Sequence, residues 1–320
     1  MSDFRIGWIV AAALGLAAVA LAASLNRHYR RDIADAYARL QTAGAGVAET
    51  ACGPIEYAAA GDGRPVLVIH GIMGGIDQGL MLAEGHIPSG YRTIAPSRFG
   101  YLGSSLPGGA STASQADAFS CLLDELAVER VAVLATSAGA TSAIQFALRH
   151  PDRCSCLILI APNAPGEVDV KPPPKPIASA MYRSDFGFWL MTEYFRGMVS
   201  SMMGVPKGFE LSPDQEAAID DVIATVLPVK PRADGALFDL FVSNPAVNDL
   251  PLKEIAVPTL IVNAIDDPLA LYENSRAMAD RVPGATLLTI EDGGHMMLGH
   301  GEEVRNAVEA FLAKHAAEAP

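Results

Sequence analysis

The sequence predicts an α/β fold with a mostly parallel central sheet, helices on both of its faces and an inserted helical cap. Three observations predict it. Short unbroken runs of Val, Ile and Leu recur along the chain, amphipathic helical stretches separate them, and one interval between runs is too long for a sheet connection. Unbroken rather than alternating hydrophobicity marks strands covered on both faces, as in a parallel sheet. Strand–helix alternation then layers helices on either side of that sheet.

Composition narrows the class further. The chain has 320 residues, half of them hydrophobic, with 23 basic and 36 acidic residues for a net charge of −13. A disordered tail, a fibre and a basic nucleic-acid binder are excluded, so no nucleic-acid partner is expected. The charge is uneven. Residues 1–40 hold five arginines against three aspartates, a balance of +2, which leaves −15 for the remaining 280. Four cysteines are too few for a disulfide scaffold. Cys121, Cys154 and Cys156 lie in apolar helix or strand contexts and read as buried, whereas Cys52 alone has a loop-like setting.

In chain order, residues 6–25 (IGWIVAAALGLAAVALAASL) run uncharged for twenty positions, the length of a helix that crosses a bilayer core of ~30 Å. Trp8 near one end suits a membrane interface. The expected partner of this segment is a lipid bilayer, with residues 1–25 as a single-pass anchor. The alternative is a cleaved signal peptide, because Ala20-Leu21-Ala22 has the small-x-small pattern of a cleavage site. Against cleavage, Asp3 offsets Arg5 in the leading segment, and the run exceeds the ~7–15 residues of a signal-peptide core. Arg27, Arg30 and Arg31 follow the span while only Arg5 precedes it, which by the positive-inside tendency places the rest of the chain in the cytoplasm. Cleavage would instead give a secreted or periplasmic protein.

Residues 26–50 read as a helical or loose linker ending in the small-residue stretch TAGAGVA. The core follows as 51–161 and 259–320. Its strands are expected at 65–70, 91–96, 130–136, 156–161, 259–264 and 286–290, each about six residues long. In 113–127, Phe119, Leu122, Leu123 and Leu126 fall at i, i+3, i+4 and i+7, with Ser111 and Thr112 available as caps. Residues 138–149 form a second helix stopped by Pro151, and Val304, Val308, Phe311 and Leu312 stripe the last one. Between 161 and 259 the alternation stops. This interval, 162–258, opens with KPPPKP and becomes helical and aromatic in SDFGFWLMTEYFRGMVSSMMG. It reads as a helical cap. Its five methionines and Phe186, Phe188, Trp189, Tyr194 and Phe195 either line an apolar acyl pocket or pack the cap's own core.

The chemistry concentrates at 130–150. A hydrophobic strand runs into Ala135-Thr136-Ser137-Ala138-Gly139 and a helix follows at once. A nucleophile elbow has this context, because its turn is so tight that the positions two before and two after the serine must be small. The helix N-terminus then favours developing negative charge. A serine hydroxyl needs a base. Of seven histidines, His295 follows the strand TLLTI within EDGGH, at the C-terminal end of a parallel strand where catalytic groups gather, and His300 is the fallback. The imidazole needs an acid to fix its tautomer, and IVNAIDDPL supplies Asp266 and Asp267 at the end of another strand. The order serine, aspartate, histidine matches one hydrolase architecture. HGIMGG (70–75) follows the first clear strand, and its glycines let backbone amides approach a substrate oxygen. It lacks the lysine and spacing of a phosphate-binding loop, and no zinc-ligand cluster is visible, so neither cofactor nor metal is expected.

Taken together, the HG after a strand, the SRFGYLGSS loop after the next, the serine elbow, NAIDDP and the late GGH resemble the α/β-hydrolase superfamily over nearly all of 51–320. The overall look is that of its capped members related to haloperoxidase-type and meta-cleavage-product hydrolases. That resemblance implies Asp267 as the triad acid with Asp266 as its fallback, and the backbone amides of Ile72 and Ala138 as the oxyanion hole. Ala135 and Ala264 stand where glycine is common in the family, and SRFGYLGSS lacks a frequent acidic residue. The function so implied is a serine hydrolase that cleaves a carboxylic ester, or a related acyl or C–C bond, of a small apolar acyl substrate. The alternatives are a non-catalytic ligand-binding member of the fold and an acyltransferase or perhydrolase with the same triad.

Overall fold

The computed structural model describes residues 2–166 and 171–316. Residues 167–170 of the expected cap and 317–320 of the expected core lie outside the described residues, as do the side chains of Asp3 and Arg5.

An eight-stranded sheet forms the core, in the order β1-β2-β4-β3-β5-β6-β7-β8. The expected strands are β3 (Arg64–Ile69), β4 (Tyr91–Pro96), β5 (Val131–Thr136), β6 (Cys154–Ile160), β7 (Thr259–Ala264) and β8 (Thr286–Ile290), all paired parallel. Two further strands, β1 (Gly46–Thr50) and β2 (Gly53–Ala60), add an antiparallel hairpin at one edge. The sequence hides them because their exposure alternates and their residues are mostly glycine, alanine and polar groups.

Helices α2 (Ile76–His86) and α12 (Gly301–His315) cover one face, burying Ala83, Val304, Val308 and Leu312. On the other face α3 (Thr112–Glu125), α4 (Gly139–Arg149) and α11 (Tyr272–Arg281) bury Phe119, Leu122, Phe146 and Met278. Ser111 caps α3 with Ser114 in a reciprocal capping box.

The cysteines depart from expectation. Cys52, at the tip of the β1–β2 hairpin, is disulfide-bonded to Cys121 of α3 across 69 positions of sequence. No local spacing announces so distant a pair. In the chain-entropy account a loop of that size gives about 4 kcal/mol of stabilisation. Cys154 and Cys156 are buried in β6, where desolvation raises both thiol pKa values, that of Cys156 to about 12.

Two regions lie outside the sheet layers. The cap contains α5 (Lys175–Tyr182), α6 (Asp185–Tyr194), α7 (Arg196–Met202), α8 (Pro213–Val226), α9 (Ala233–Phe238) and α10 (Asn244–Ala246), with a π turn at Asp239–Ser243. The other is α1, a single helix over Ser2–Thr42. No glycine or proline interrupts residues 16–43, so nothing stops the helix at the end of the apolar span. The stretch expected as a linker is therefore ordered: its first part continues α1 and its last five residues are β1. Residues 6–9 and 11–24 are exposed, and α1 is long and apolar enough to cross a membrane by length and composition. From Leu25 onward α1 packs on the cap. Leu25, Tyr29, Ile33 and Ala36 join the cluster of Trp189, Phe188, Tyr182 and Val226. Trp189 donates its indole N–H to Asp32 at 2.9 Å, and Arg39 donates to the Leu227 carbonyl at 2.6 Å.

Candidate active site

Ser137 sits between the last residue of β5 and the start of α4, with φ at +50°. A non-glycine residue in this region stores about 1–3 kcal/mol of strain and persists only where its surroundings over-determine it. Here they do. The Ser137 amide donates to the Ile160 carbonyl at 3.1 Å, and its own carbonyl accepts from the Ala140 and Asn163 amides, each at 3.0 Å. Gly139 makes the turn possible. A Cβ there would lie 2.4 Å from the His70 carbonyl oxygen and 2.8 Å from that of Ile69, both backbone atoms that cannot move aside.

His295 reaches Ser137 from the loop after β8. Its Nε2 is 2.9 Å from Ser137 Oγ, and its Nδ1 is 2.8 Å from Asp267 Oδ2. Asp267 is buried, and its other oxygen accepts from the Leu269 and Ala270 amides at 2.8 and 2.9 Å. With one carboxylate oxygen fixed by backbone, the other is held towards the imidazole. Asp266 points elsewhere: its oxygens accept from the Gly293 and Gly294 amides at 3.2 and 2.8 Å. The fallback acid thus anchors the loop that carries His295. His300, the fallback base, binds Asp292 at 2.7 Å and Glu303 at 3.3 Å on the surface, and these carboxylates raise its pKa. Neither fallback residue bonds to Ser137 or His295.

The glycine-rich loop after β3 lies against the same serine. Gly71 is so close that a Cβ on it would stand 3.2 Å from Ser137 Cβ. Among the described residues, the amides of Ile72 and Ala138 donate to no protein acceptor, while those of Gly71, Met73 and Gly74 are taken by Gln78, Tyr101 and Gly71.

Two buried arginines grip this loop, and sequence reasoning missed both. Arg98 donates to both oxygens of Asp239 at 2.6 Å and to the Gly71 carbonyl at 3.0 Å. Arg232 donates to Asp77 at 2.6 and 3.0 Å and to the Gly74 carbonyl at 2.6 Å. Burial alone would depress the Arg98 pKa, but Asp239 and Tyr101 together outweigh it and the net shift is upward. Tyr101 also donates to Asp239, and its pKa is driven well up by desolvation and then by that carboxylate. His70 is held neutral, its pKa far below the ordinary value through burial and then the Arg98 charge. In that form Nδ1 donates to the Gly71 carbonyl at 2.7 Å, and Nε2 accepts from the Arg98 amide at 3.0 Å. Arg98 and Tyr101 belong to SRFGYLGSS, but their partner Asp239 lies 141 and 138 positions away, so no local pattern signals the network.

The cap meets the site through Gly204, whose carbonyl accepts from the His295 amide at 3.1 Å. A Cβ on Gly204, at φ +81°, would stand 2.2 Å from His295 Cβ. The aromatic cluster divides. Phe188 and Trp189 pack the cap's core with Tyr182, whereas Phe186, Tyr194 and Phe195 are exposed. Among the described residues one group of metal-type ligands is close together, His28, Asp32 and Glu193, with ligand atoms within 4.8 Å. It lies between α1 and α6, where His28 bonds Asp32 at 3.1 Å, and it does not touch Ser137 or His295.

Comparison with known proteins agrees with the fold. The sequence profile of the Alpha/beta hydrolase family matches residues 66–307. The poly(3-hydroxyalkanoate) depolymerase of Ectopseudomonas oleovorans is 31% identical over 194 residues, 60% of this chain and 64% of that protein. The 2-hydroxymuconate semialdehyde hydrolase of Pseudomonas putida is 25% identical over 268 residues, 79% of this chain and 89% of that protein. Among solved structures, an alpha/beta hydrolase fold protein from Nakamurella multipartita superposes with a TM-score of 0.69 at 26% identity, covering 82% of this chain and 97% of its own.

Proposed function

The chain belongs to the alpha/beta hydrolase family, and on that premise we propose that it is a serine hydrolase cleaving a carboxylic ester through an acyl-enzyme on Ser137. The observation that carries this reading is the unbroken relay from Ser137 Oγ to His295 Nε2 at 2.9 Å and from His295 Nδ1 to Asp267 at 2.8 Å. Ser137 Oγ attacks the ester carbonyl while His295 Nε2 takes its proton. Asp267 holds the Nδ1–H tautomer and stabilises the imidazolium. The oxyanion receives the Ile72 and Ala138 amides, each worth about 3–4 kcal/mol where such a donor has been removed elsewhere. The imidazolium then protonates the departing alkoxide, and water attacks the acyl-enzyme with His295 as base, returning the proton to Ser137. The ester reading has the depolymerase likeness in its favour. The semialdehyde hydrolase likeness favours a second reading, in which the same serine cleaves a C–C bond beside a carbonyl. Turnover of nitrophenyl esters, with a burst of nitrophenol and an acyl mass on the Ser137 peptide, tests the first. Turnover of a dienone ring-fission substrate with inert esters would replace it with the second.

In the same reading α1 is a retained single-pass anchor. The Cys52–Cys121 disulfide supports an oxidising compartment for the hydrolase domain over the cytoplasm, because disulfides persist there. The arginines after the span argue the other way, and a covalent cross-link outweighs a bias carried by three residues. Alkylation of denatured protein taken directly from cells tests this: two blocked thiols are expected without reductant, four with it.

A further inference from the structure

We propose that the α6–α7 corner of the cap is seated on the bilayer that α1 enters, so that Ser137 receives acyl esters dissolved in that bilayer rather than in water. This rests on reading α1 as a membrane anchor, and it adds where the cap stands and from where the substrate comes.

The geometry starts from one residue. Leu25 is the last position of the uncharged span and also the first that packs on the cap. No spacer separates lipid from protein, so the part of the cap beside Leu25 lies at the membrane surface. Which part that is follows from the pairing of α1 with α6. Tyr37 bonds Asp185, the Tyr29 ring meets Phe186 at 5.1 Å, Trp189 meets both Asp32 and the His28 ring, and His28 lies 3.8 Å from Glu193. The two ends of α6 set its direction: Asp185 at its start meets Tyr37, and Glu193 near its end lies beside His28. The two helices are therefore antiparallel, and the C-terminal end of α6 points down at the membrane.

That end is apolar and uncovered. Tyr194, Phe195 and Met198 are 56%, 55% and 49% exposed. Aromatic rings with a polar handle favour the headgroup level. Arg27 and Arg30 lie at the same level of α1, exposed and without a carboxylate partner among the described residues, as suits the phosphate layer. The fold as a whole is acidic, so an apolar contact beside the anchor is the form of docking its charge permits.

The same corner leads to the chemistry. From Phe195 the chain runs through α7 to Gly204, whose carbonyl holds the His295 amide at 3.1 Å. Seven helical residues span only about 10 Å. Met202 and Met203 on this path belong to the apolar cluster that also contains Ile72 and Met73 of the loop beside Ser137. The corner joins this cluster through Tyr194, whose ring meets that of Trp189 at 6.3 Å, so apolar side chains line the way from the membrane-facing corner to the candidate oxyanion loop.

The test uses the full chain reconstituted in phosphatidylcholine vesicles. The protein has two tryptophans, Trp8 in the span and the buried Trp189. With Trp8→Phe as background, Phe195→Trp adds a reporter at the corner. Brominated acyl chains should quench the added fluorescence by about twofold or more relative to unbrominated lipid. Phe195→Asp with Met198→Asp should lower the rate on a long-chain nitrophenyl ester carried in the vesicles, relative to a water-soluble short-chain ester, by about tenfold or more, as expected when two apolar contacts are replaced by charge. If the chain resists carbonate extraction but the added tryptophan is not quenched, the anchor reading stands and the seating of the cap is overturned. If carbonate releases the chain, the anchor reading falls and this proposal with it. A dimer broken by the two aspartates, without quenching, would show a second copy on this face and overturn the proposal.

Discussion

Below Ser137 lies the sheet, above it the cap, and the two are held by different physics. The floor is β3, β5, β6 and β7, whose side chains are mostly apolar and buried. Its cohesion is hydrophobic burial and ladder hydrogen bonds, which tolerate volume-conserving change. The roof is tied to the floor by buried ion pairs that cross the boundary, Arg98 with Asp239 and Arg232 with Asp77, each also holding a carbonyl of the candidate oxyanion loop. Breaking one partner of such a pair strands a charge, whereas removing both is often neutral. The geometry of the candidate site therefore depends on the floor for where Ser137 stands, and on the roof for how the loop and His295 meet it.

The largest expected effect separates the two acids on the floor's edge. Asp267→Asn should lower turnover by about 10⁴-fold, the loss seen when the tautomer-fixing acid of a well-studied serine protease is amidated. Asp266→Asn, which loosens the Gly293–Gly294 turn without touching the imidazole, should cost between about tenfold and a hundredfold. Steady-state kinetics on one ester distinguishes them, and equal losses would deny Asp267 its special place.

The roof should fail in a different manner. Arg98→Met leaves Asp239 charged and buried, and should destabilise by about 3–5 kcal/mol, while Arg98→Met with Asp239→Leu should recover much of that loss. Urea unfolding of the two variants checks it, and a double variant as weak as the single one would mean the pair is not what joins roof to floor.

A pH effect comes next in size. His86, at the end of α2, has its pKa lowered to about 4 by burial and then by Arg305. The unfolded chain, with the ordinary value of 6.5, takes up the proton first. Stability is thus complete above pH 6.5 and is lost as pH falls towards 4, by about 3 kcal/mol for this residue. His70, also depressed, acts in the same direction. Melting across that window should show the decline, and His86→Gln should flatten part of it. The smallest effect expected is at the α1 contact. Trp189→Phe removes the bond to Asp32 and should cost about 1 kcal/mol, read from melting of the full chain.

The same division explains what the sequence disclosed. The floor was legible because buried parallel strands must be unbroken Val, Ile and Leu, and because an elbow tolerates only small residues around Ser137. The hairpin of β1 and β2 escaped because an exposed edge strand needs no such composition. The roof was legible only as an over-long interval with helical content. Its decisive contacts, Arg98 to Asp239, Arg232 to Asp77 and Trp189 to Asp32, join residues more than a hundred positions apart and leave no periodic trace. The disulfide between Cys52 and Cys121 is hidden for the same reason. Between the two acids of NAIDDP, spacing alone left the choice open; it is the backbone amides at 269, 270, 293 and 294 that turn the two carboxylates to different partners.

Covalent labelling decides whether Ser137 is a nucleophile activated by His295. The purified full chain is treated with a fluorophosphonate, and the modified peptide is located by mass spectrometry. One adduct is expected on Ser137, none in Ser137→Ala, and labelling slowed by several orders of magnitude in His295→Ala. Labelling that persists in Ser137→Ala, or proceeds at the wild-type rate in His295→Ala, would contradict that role.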